Sequence, residues 1–334
     1  MKHFSKFRMR WKDFFVSRPA IYSCAIVIAA SIGFGYQLRT KTIFACPAAG
    51  YSGDRYLAYC SGASYADYEH GAFEFGLEPS VLAHVRDADV LFLGNSRLQF
   101  AFSTAATADW FSTTSARYYL MGFLYLENVV FAEELLRNIR PRARVFVINV
   151  DNFFDRSESP PVKTIFHDPE ARPKYEAKQL WQRFHERICG TFARLCGTKF
   201  VVFRSRETGA YHTEGTGKWQ SAEVSYDRIV NQNVVDSNEA AAIDFLSRFA
   251  RGKCVILTNV PFFNTKIGNA NAIAKGVGAK FVTPESVDGL QTYDGHHLDR
   301  ASAERWSRAF FQAAGSEIRS CLGTVHQSDE SLSQ

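Results

Sequence analysis

Val90-Leu91-Phe92-Leu93-Gly94-Asn95-Ser96-Arg97 is an unbroken apolar run that stops abruptly in a glycine, an amide and a serine. Apolar residues without alternation predict a strand buried on both faces, as in a parallel sheet covered by helices. Gly94 permits a sharp turn, so Ser96 is expected at or just past the strand's carboxyl end, the edge where open parallel sheets bind ligands. Phe100 to Phe111 has the apolar spacing of a helix. The N-terminus of that helix would then lie beside Ser96, with N–H groups that favour a developing oxyanion. Outward from this unit, strands are expected at Arg117–Leu120, Val145–Val150, Cys254–Asn259 and, shorter, Lys280–Val282. Helical patterns at Leu126–Ile139, Asn238–Arg251 and Ala301–Ala314 intervene or follow. This alternation predicts an α/β fold with a doubly wound parallel sheet.

About two hundred residues later, Tyr293-Asp294-Gly295-His296-His297-Leu298 places an aspartate three residues before a histidine in a polar turn. A serine, a histidine base and an aspartate to orient it are what acyl transfer through a serine requires. The bland readings are a serine that merely caps a helix and an ordinary Asp-Gly turn. A third reading gathers Asp294, His296 and His297 around a zinc ion, although adjacent histidines on one loop rarely converge.

Gly94-Asn95-Ser96-Arg97 resembles the first block of the SGNH (GDSL-type) hydrolases, and Asp294-x-x-His297-Leu298 resembles their last. The resemblance covers roughly residues 85 to 315. It implies a flavodoxin-like α/β domain that hydrolyses or transfers acyl groups without a cofactor. Carried onto this chain, it implies Ser96 as nucleophile, His297 as base and Asp294 as its orienting partner. The same resemblance implies an oxyanion hole made of Ser96 N–H, Gly122 N–H (in Arg117-Tyr-Tyr-Leu-Met-Gly122) and the Asn152 amide (in Val150-Asp151-Asn152). Val150 stands where the family has glycine, which leaves Asn149 and Asp151 as rivals to Asn152. Asn95 replaces the usual aspartate. Arg97 replaces the usual leucine and is read either as a clamp for an anionic or sugar substrate or as a solvated or salt-bridged side chain.

The N-terminus reads as a membrane anchor. Lys2, Lys6, Arg8, Arg10, Lys12 and Arg18 form a basic tail, residues 1–18, before the uncharged run Pro19–Tyr36. That run is near the lower length limit for a span. The basic excess on its N-terminal side places the tail in the cytoplasm and the remainder outside, periplasmic in a Gram-negative cell. A cleaved signal peptide is the alternative. Cys24 lies in the run, leaving Cys46, Cys60, Cys189, Cys196, Cys254 and Cys321 outside. The nearest pairs, Cys46 with Cys60 and Cys189 with Cys196, are read as disulfides. Cys254, inside an apolar run, is read as a buried free thiol. A net charge of +5, part of it in the tail, does not argue for nucleic acid, and no nucleic-acid-binding motif is present.

Between anchor and domain, residues 37–80 read as a juxtamembrane stalk or a strap packed on the domain, with aromatics suited to either a core or a membrane interface. The domain is placed at 81–320, with an insertion at 155–236 too long for a plain connection. The insertion carries a helix at Tyr175–Phe192 and the side chains Arg204, Arg206, His212, Lys218 and Trp219, and is read either as shaping an acceptor or substrate groove beside the active-site edge or as a plain structural cap. Residues 321–334 are read as a polar, disordered tail. The expected function is a membrane-anchored serine esterase or O-acyltransferase acting on carbohydrate or cell-envelope esters, with a membrane acyl-donor protein as a candidate partner. The alternative is a non-catalytic glycan-binding or scaffold domain of the same fold.

Overall fold

A computed structural model describes residues 18–40 and 42–323. The basic tail before Arg18 and the polar residues after Gly323 lie outside the described residues. In helix α1 (Arg18–Thr40), residues 19–40 are exposed except for the half-buried Ala20 and Leu38, and Pro19–Thr40 is long and apolar enough to cross a membrane. At 1.5 Å per residue its 22 residues reach about 33 Å.

Then come β1 (Arg55–Cys60), α2 (Glu69–Glu74), α3 (Pro79–Asp87), β2 (Val90–Asn95), α4 (Ser96–Phe102), α5 (Ala105–Ser112) and β3 (Tyr118–Phe123). The chain continues through α6 (Val129–Ile139), β4 (Val145–Asn149), α7 (Pro160–His167), α8 (Ala171–Thr191), β5 (Val201–Ser205), β6 (Tyr211–Glu214) and β7 (Ala222–Glu223). It ends with α9 (Gln232–Phe249), β8 (Cys254–Thr258), α10 (Ile267–Gly276), β9 (Lys280–Phe281), β10 (Gln291–Thr292) and α11 (Arg300–Gly323).

Five strands form one parallel sheet in the order β3-β2-β4-β8-β9. Numbered by appearance in the chain, that order is 2-1-3-4-5. Both faces are covered, which is why the strands read as continuous apolar runs. Leu91, Leu93, Met121, Phe146 and Ile148 pack on one face with residues of α6, α9 and α10. Val90, Phe92, Leu120, Val147 and Ile256 pack on the other with residues of α4 and α11. The direction of winding reverses between β2 and β4, so their carboxyl ends open a crevice at the sheet's edge. The single helix expected over Phe100–Phe111 is two, α4 and α5, because Ser103 and Thr104 break it and Thr104 caps the second.

A second sheet, β1-β5-β6, is antiparallel and joins the segment before the domain to the insertion. Tyr65, Tyr68 and Phe73 are buried, so this stretch is a strap built into the core, and these aromatics are not at a membrane interface. The turn between β5 and β6 covers the free edge of β3, where Leu120 N–H donates to the Thr208 carbonyl at 2.8 Å. Capping an edge strand in this way removes a site for unwanted pairing.

Disulfides join Cys46 to Cys60 and Cys189 to Cys196. Cys254 is not a free thiol. It is bonded to Cys321, 67 residues on, because α11 runs back along the sheet and brings its last turn to the start of β8. Cys24 is the free cysteine among the described residues. Closing so long a loop stabilises mainly by restricting the unfolded chain. Replacing both Cys254 and Cys321 by serine is expected to cost about 2–4 kcal/mol, read as an earlier urea midpoint by circular dichroism. An unchanged midpoint would contradict this.

Candidate active site

Asn95 ends β2 and caps α4: its Oδ1 accepts the Arg97 N–H at 3.0 Å. Its Nδ2 donates to the Asp151 carbonyl at 3.0 Å, tying the end of β2 to the loop after β4. Since Asn95 does the capping, the Ser96 hydroxyl is spared that task. Ser96 Oγ lies 2.8 Å from His297 Nε2, and His297 Nδ1 lies 2.7 Å from Asp294 Oδ2. The serine is nearly inaccessible at 3 % exposure, while the histidine and aspartate are partly open.

The turn carrying the pair is clamped at several points. β10 pairs with β7, and Tyr293 N–H donates to the His297 carbonyl at 3.0 Å. Gly295 has φ +83°, a conformation that glycine adopts without strain. Asp294 Oδ1 accepts the N–H groups of His296 at 2.9 Å and His297 at 2.8 Å. Burial opposes ionisation of this carboxyl, but its bonds from His297 and the two backbone N–H groups outweigh burial and hold its pKa below the ordinary aspartate range. What these bonds add to stability is therefore present above the usual carboxylate pKa and is lost as the pH falls through the depressed value.

The other expected site residues are placed differently. Gly122 N–H donates to Gln99 Oε1 at 2.9 Å, so it is already committed and is no free oxyanion donor. Gly122 is a glycine for packing: a Cβ there would lie 2.6 Å from the Asn95 carbonyl oxygen. Asn152 is exposed with φ +53°, and no described residue bonds its side-chain amide. Asn149 is locked inside, accepting Val260 N–H at 3.0 Å. Asp151 pairs with Arg97. Arg97 in turn is buried, with its guanidinium 3.8 Å from the Phe262 ring centroid, so it is a structural salt bridge and not an exposed clamp. Asp294, His296 and His297 do not converge as a metal site; the aspartate is engaged by its own turn and His297 faces Ser96. Two other groupings could hold an ion by distance, His185 with Cys189 and Cys196, and Cys254 with Glu317 and Cys321. Each contains a disulfide, whose sulfurs are not thiolate ligands.

Beside His297 a cavity of about 270 Å³ is lined by Tyr59, Ser61, Leu124 and Tyr125, together with Phe100, Phe200, Trp219 and Tyr293. The last four also wall a second cavity of about 330 Å³, whose far side carries Ser103, His212, Glu214 and Arg300. Trp219 stands between the two, edge-on to Phe200 at 4.5 Å and 5.1 Å from Tyr293, and is 45 % exposed. Of the insertion residues read as groove-lining, His212 and Trp219 are in the wall. Arg204 is fully buried and Arg206 pairs with Glu78. Sequence reasoning missed Gln99, Phe100 and Tyr125. The first two lie one turn into α4 from Ser96, and Tyr125 has φ +65°, a strained loop position that periodicity does not reveal.

No family model, curated protein or solved structure matches the chain.

Proposed function

We propose that the chain is a membrane-anchored serine ester hydrolase or O-acyltransferase of SGNH type, acting outside the cytoplasm on carbohydrate or cell-envelope esters. The observation that carries this reading is the continuous chain Asp294–His297–Ser96, with contacts of 2.7 and 2.8 Å. Strand order 2-1-3-4-5, which is that of flavodoxin-like sheets, and a serine at the crevice where the winding reverses support it further. The mixed aromatic and polar walls of the two cavities suit a saccharide, whose ring faces stack on aromatics and whose hydroxyls need polar partners.

In this mechanism Ser96 Oγ attacks the ester carbonyl as His297 Nε2 takes its proton. Asp294 fixes the imidazole tautomer and stabilises the imidazolium. At the start of α4 the Ser96 N–H faces the developing oxyanion, the Arg97 N–H being taken by Asn95. Collapse expels the alcohol, which takes the proton from His297, and leaves an acyl group on Ser96. Water, or a sugar hydroxyl in the transferase version, then gives its proton to His297 and attacks, restoring Ser96.

One observation favours the alternative, a glycan-binding domain without turnover: Gly122 N–H and the Asn152 amide are not assembled as an oxyanion hole. Labelling by an organophosphonate distinguishes the two. Covalent capture of Ser96 supports the enzyme; no adduct, with saccharide still bound, supports the binding domain. For the enzyme, Trp219→Ala is expected to lower the preference for an acetylated oligosaccharide over p-nitrophenyl acetate about tenfold, or about 1.4 kcal/mol. An unchanged ratio of kcat/KM values would remove Trp219 from the saccharide site.

A further inference from the structure

Between the end of α1 at Thr40 and the first buried residue of the domain, Ile43, stand two residues. Thr42 N–H still donates to the Arg39 carbonyl at 3.1 Å. The domain therefore has no linker on which to stand away from the helix that carries it. One element lies alongside that helix. Phe184 of α8 packs edge-on against Phe34 of α1 with centroids 5.7 Å apart, and Leu38 joins Trp181 and Phe184 around the cluster of Ile43, Cys46 and Tyr65. Phe34 is six residues before the end of α1, about 9 Å down its axis.

The two faces of α8 differ. Tyr175, Gln182, His185 and Cys189 are buried against the strap. Leu180, Phe184, Arg187 and Thr191 follow one another at three- and four-residue steps, with Arg183 three residues after Leu180, a single stripe on a helix. Leu180 is 68 % exposed, and just past the helix Phe192 and Leu195 are 57 % and 60 % exposed. Arg183, Arg187 and Arg194 accompany them, and among the described residues no acid pairs with these three; Glu186 is the acid nearest in sequence. The Cys189–Cys196 disulfide holds Phe192, Arg194 and Leu195 in a closed turn. Exposed aliphatic and aromatic side chains flanked by unpaired arginines are what an interfacial helix presents to anionic lipid.

We propose that the outer face of α8 and its disulfide-closed turn lie in the headgroup layer of the bilayer that α1 spans. Leu180, Phe192 and Leu195 enter the acyl boundary, and Arg183, Arg187 and Arg194 meet anionic headgroups. The inference rests on α1 being a membrane span. It adds a second contact, which holds the domain at one height and one orientation above the lipid instead of letting it pivot on α1.

The test uses the full chain in vesicles of phosphatidylcholine and phosphatidylglycerol containing lipid nitroxide-labelled at a shallow acyl position. A thiol-reactive fluorophore is placed on native Cys24, or on Leu180→Cys or Ser247→Cys with Cys24→Ser. Ser247 is an exposed residue of α9. The label at position 180 is expected to be quenched about threefold more than the label at 247, and Arg183→Glu with Arg187→Glu to remove about half of that excess. Quenching at 180 no greater than at 247, with Cys24 quenched, overturns the docking and leaves the anchor intact. An unquenched label at Cys24 overturns the anchor reading and the docking with it. An excess that the arginine substitutions leave unchanged overturns the assignment of anionic headgroups.

Discussion

Hydrolysis of p-nitrophenyl acetate by the full chain is expected to fall about 10⁴- to 10⁶-fold on Ser96→Ala or His297→Ala, the range seen when a serine nucleophile or its base is removed. The expectation follows from how the Ser96 hydroxyl is used. A serine at the start of a helix is ordinarily a cap, but Asn95 already caps α4 through its bond to Arg97 N–H. Among the described residues the hydroxyl's partner is His297 alone, so its removal strips the chemistry and little else. Stability should change by under about 1 kcal/mol, since no buried partner is left without water access at the open side of His297. Asp294→Asn should cost about 10⁴-fold, because an amide at that position favours the wrong imidazole tautomer. Equal rates in the wild type and in the Ser96 and His297 variants, set against a blank, would sink the esterase reading. A shared loss of activity together with a lowered melting temperature would mean that Ser96 is structural.

Arg204→Leu is expected to lower stability by about 3–5 kcal/mol, the cost of removing one partner of a buried ion pair. Arg204 is completely inaccessible, and its guanidinium donates to Glu69 Oε2 at 3.0 Å and to the carbonyls of Gly122 at 3.1 Å and Leu120 at 2.6 Å. It also lies over the rings of Phe73 and Phe123 at 4.6 and 4.7 Å. Glu69, 1 % exposed, further accepts from Tyr211 Oη at 2.6 Å and from Leu124 N–H at 3.0 Å. One ion pair thus joins the strap, the insertion and the carboxyl end of β3, next to the loop that lines the cavity at His297. The substitution leaves Glu69 charged, buried and unpaired. Adding Glu69→Gln should restore part of the loss, since the stranded charge is then gone. Chemical denaturation of the single and double variants checks this, and a single variant as stable as the wild type would contradict it. Activity on p-nitrophenyl acetate should fall with the folded fraction, not independently of it.

The place of Arg204 is set by long-range packing. In the sequence it shares with His212 and Trp219 an insertion read as a groove-shaping element or a structural cap. The fold separates them: β5 pairs with β1, turning Arg204 inward, while the segment after β6 returns Trp219 to the surface beside Tyr293. For Gly122, too, the resemblance implies an oxyanion donor, and the fold decides otherwise. What its N–H meets is decided by Gln99, which the turn from β2 into α4 brings across to β3.

Legible in the chain alone were the parallel α/β core, the apolar N-terminal helix, the two short-range disulfides and the turn that sets Asp294 against His297. Each of these is written in a period, a turn or a spacing of a few residues, where local sterics and burial leave few alternatives. Tertiary structure alone decided the Cys254–Cys321 bond, the Arg204–Glu69 pair, the loss of Gly122 and Arg97 from the binding surface, and the meeting of α8 with α1. Those contacts join segments far apart in the chain. Their partners are set by which faces the packed elements present to one another, a property that no local pattern carries.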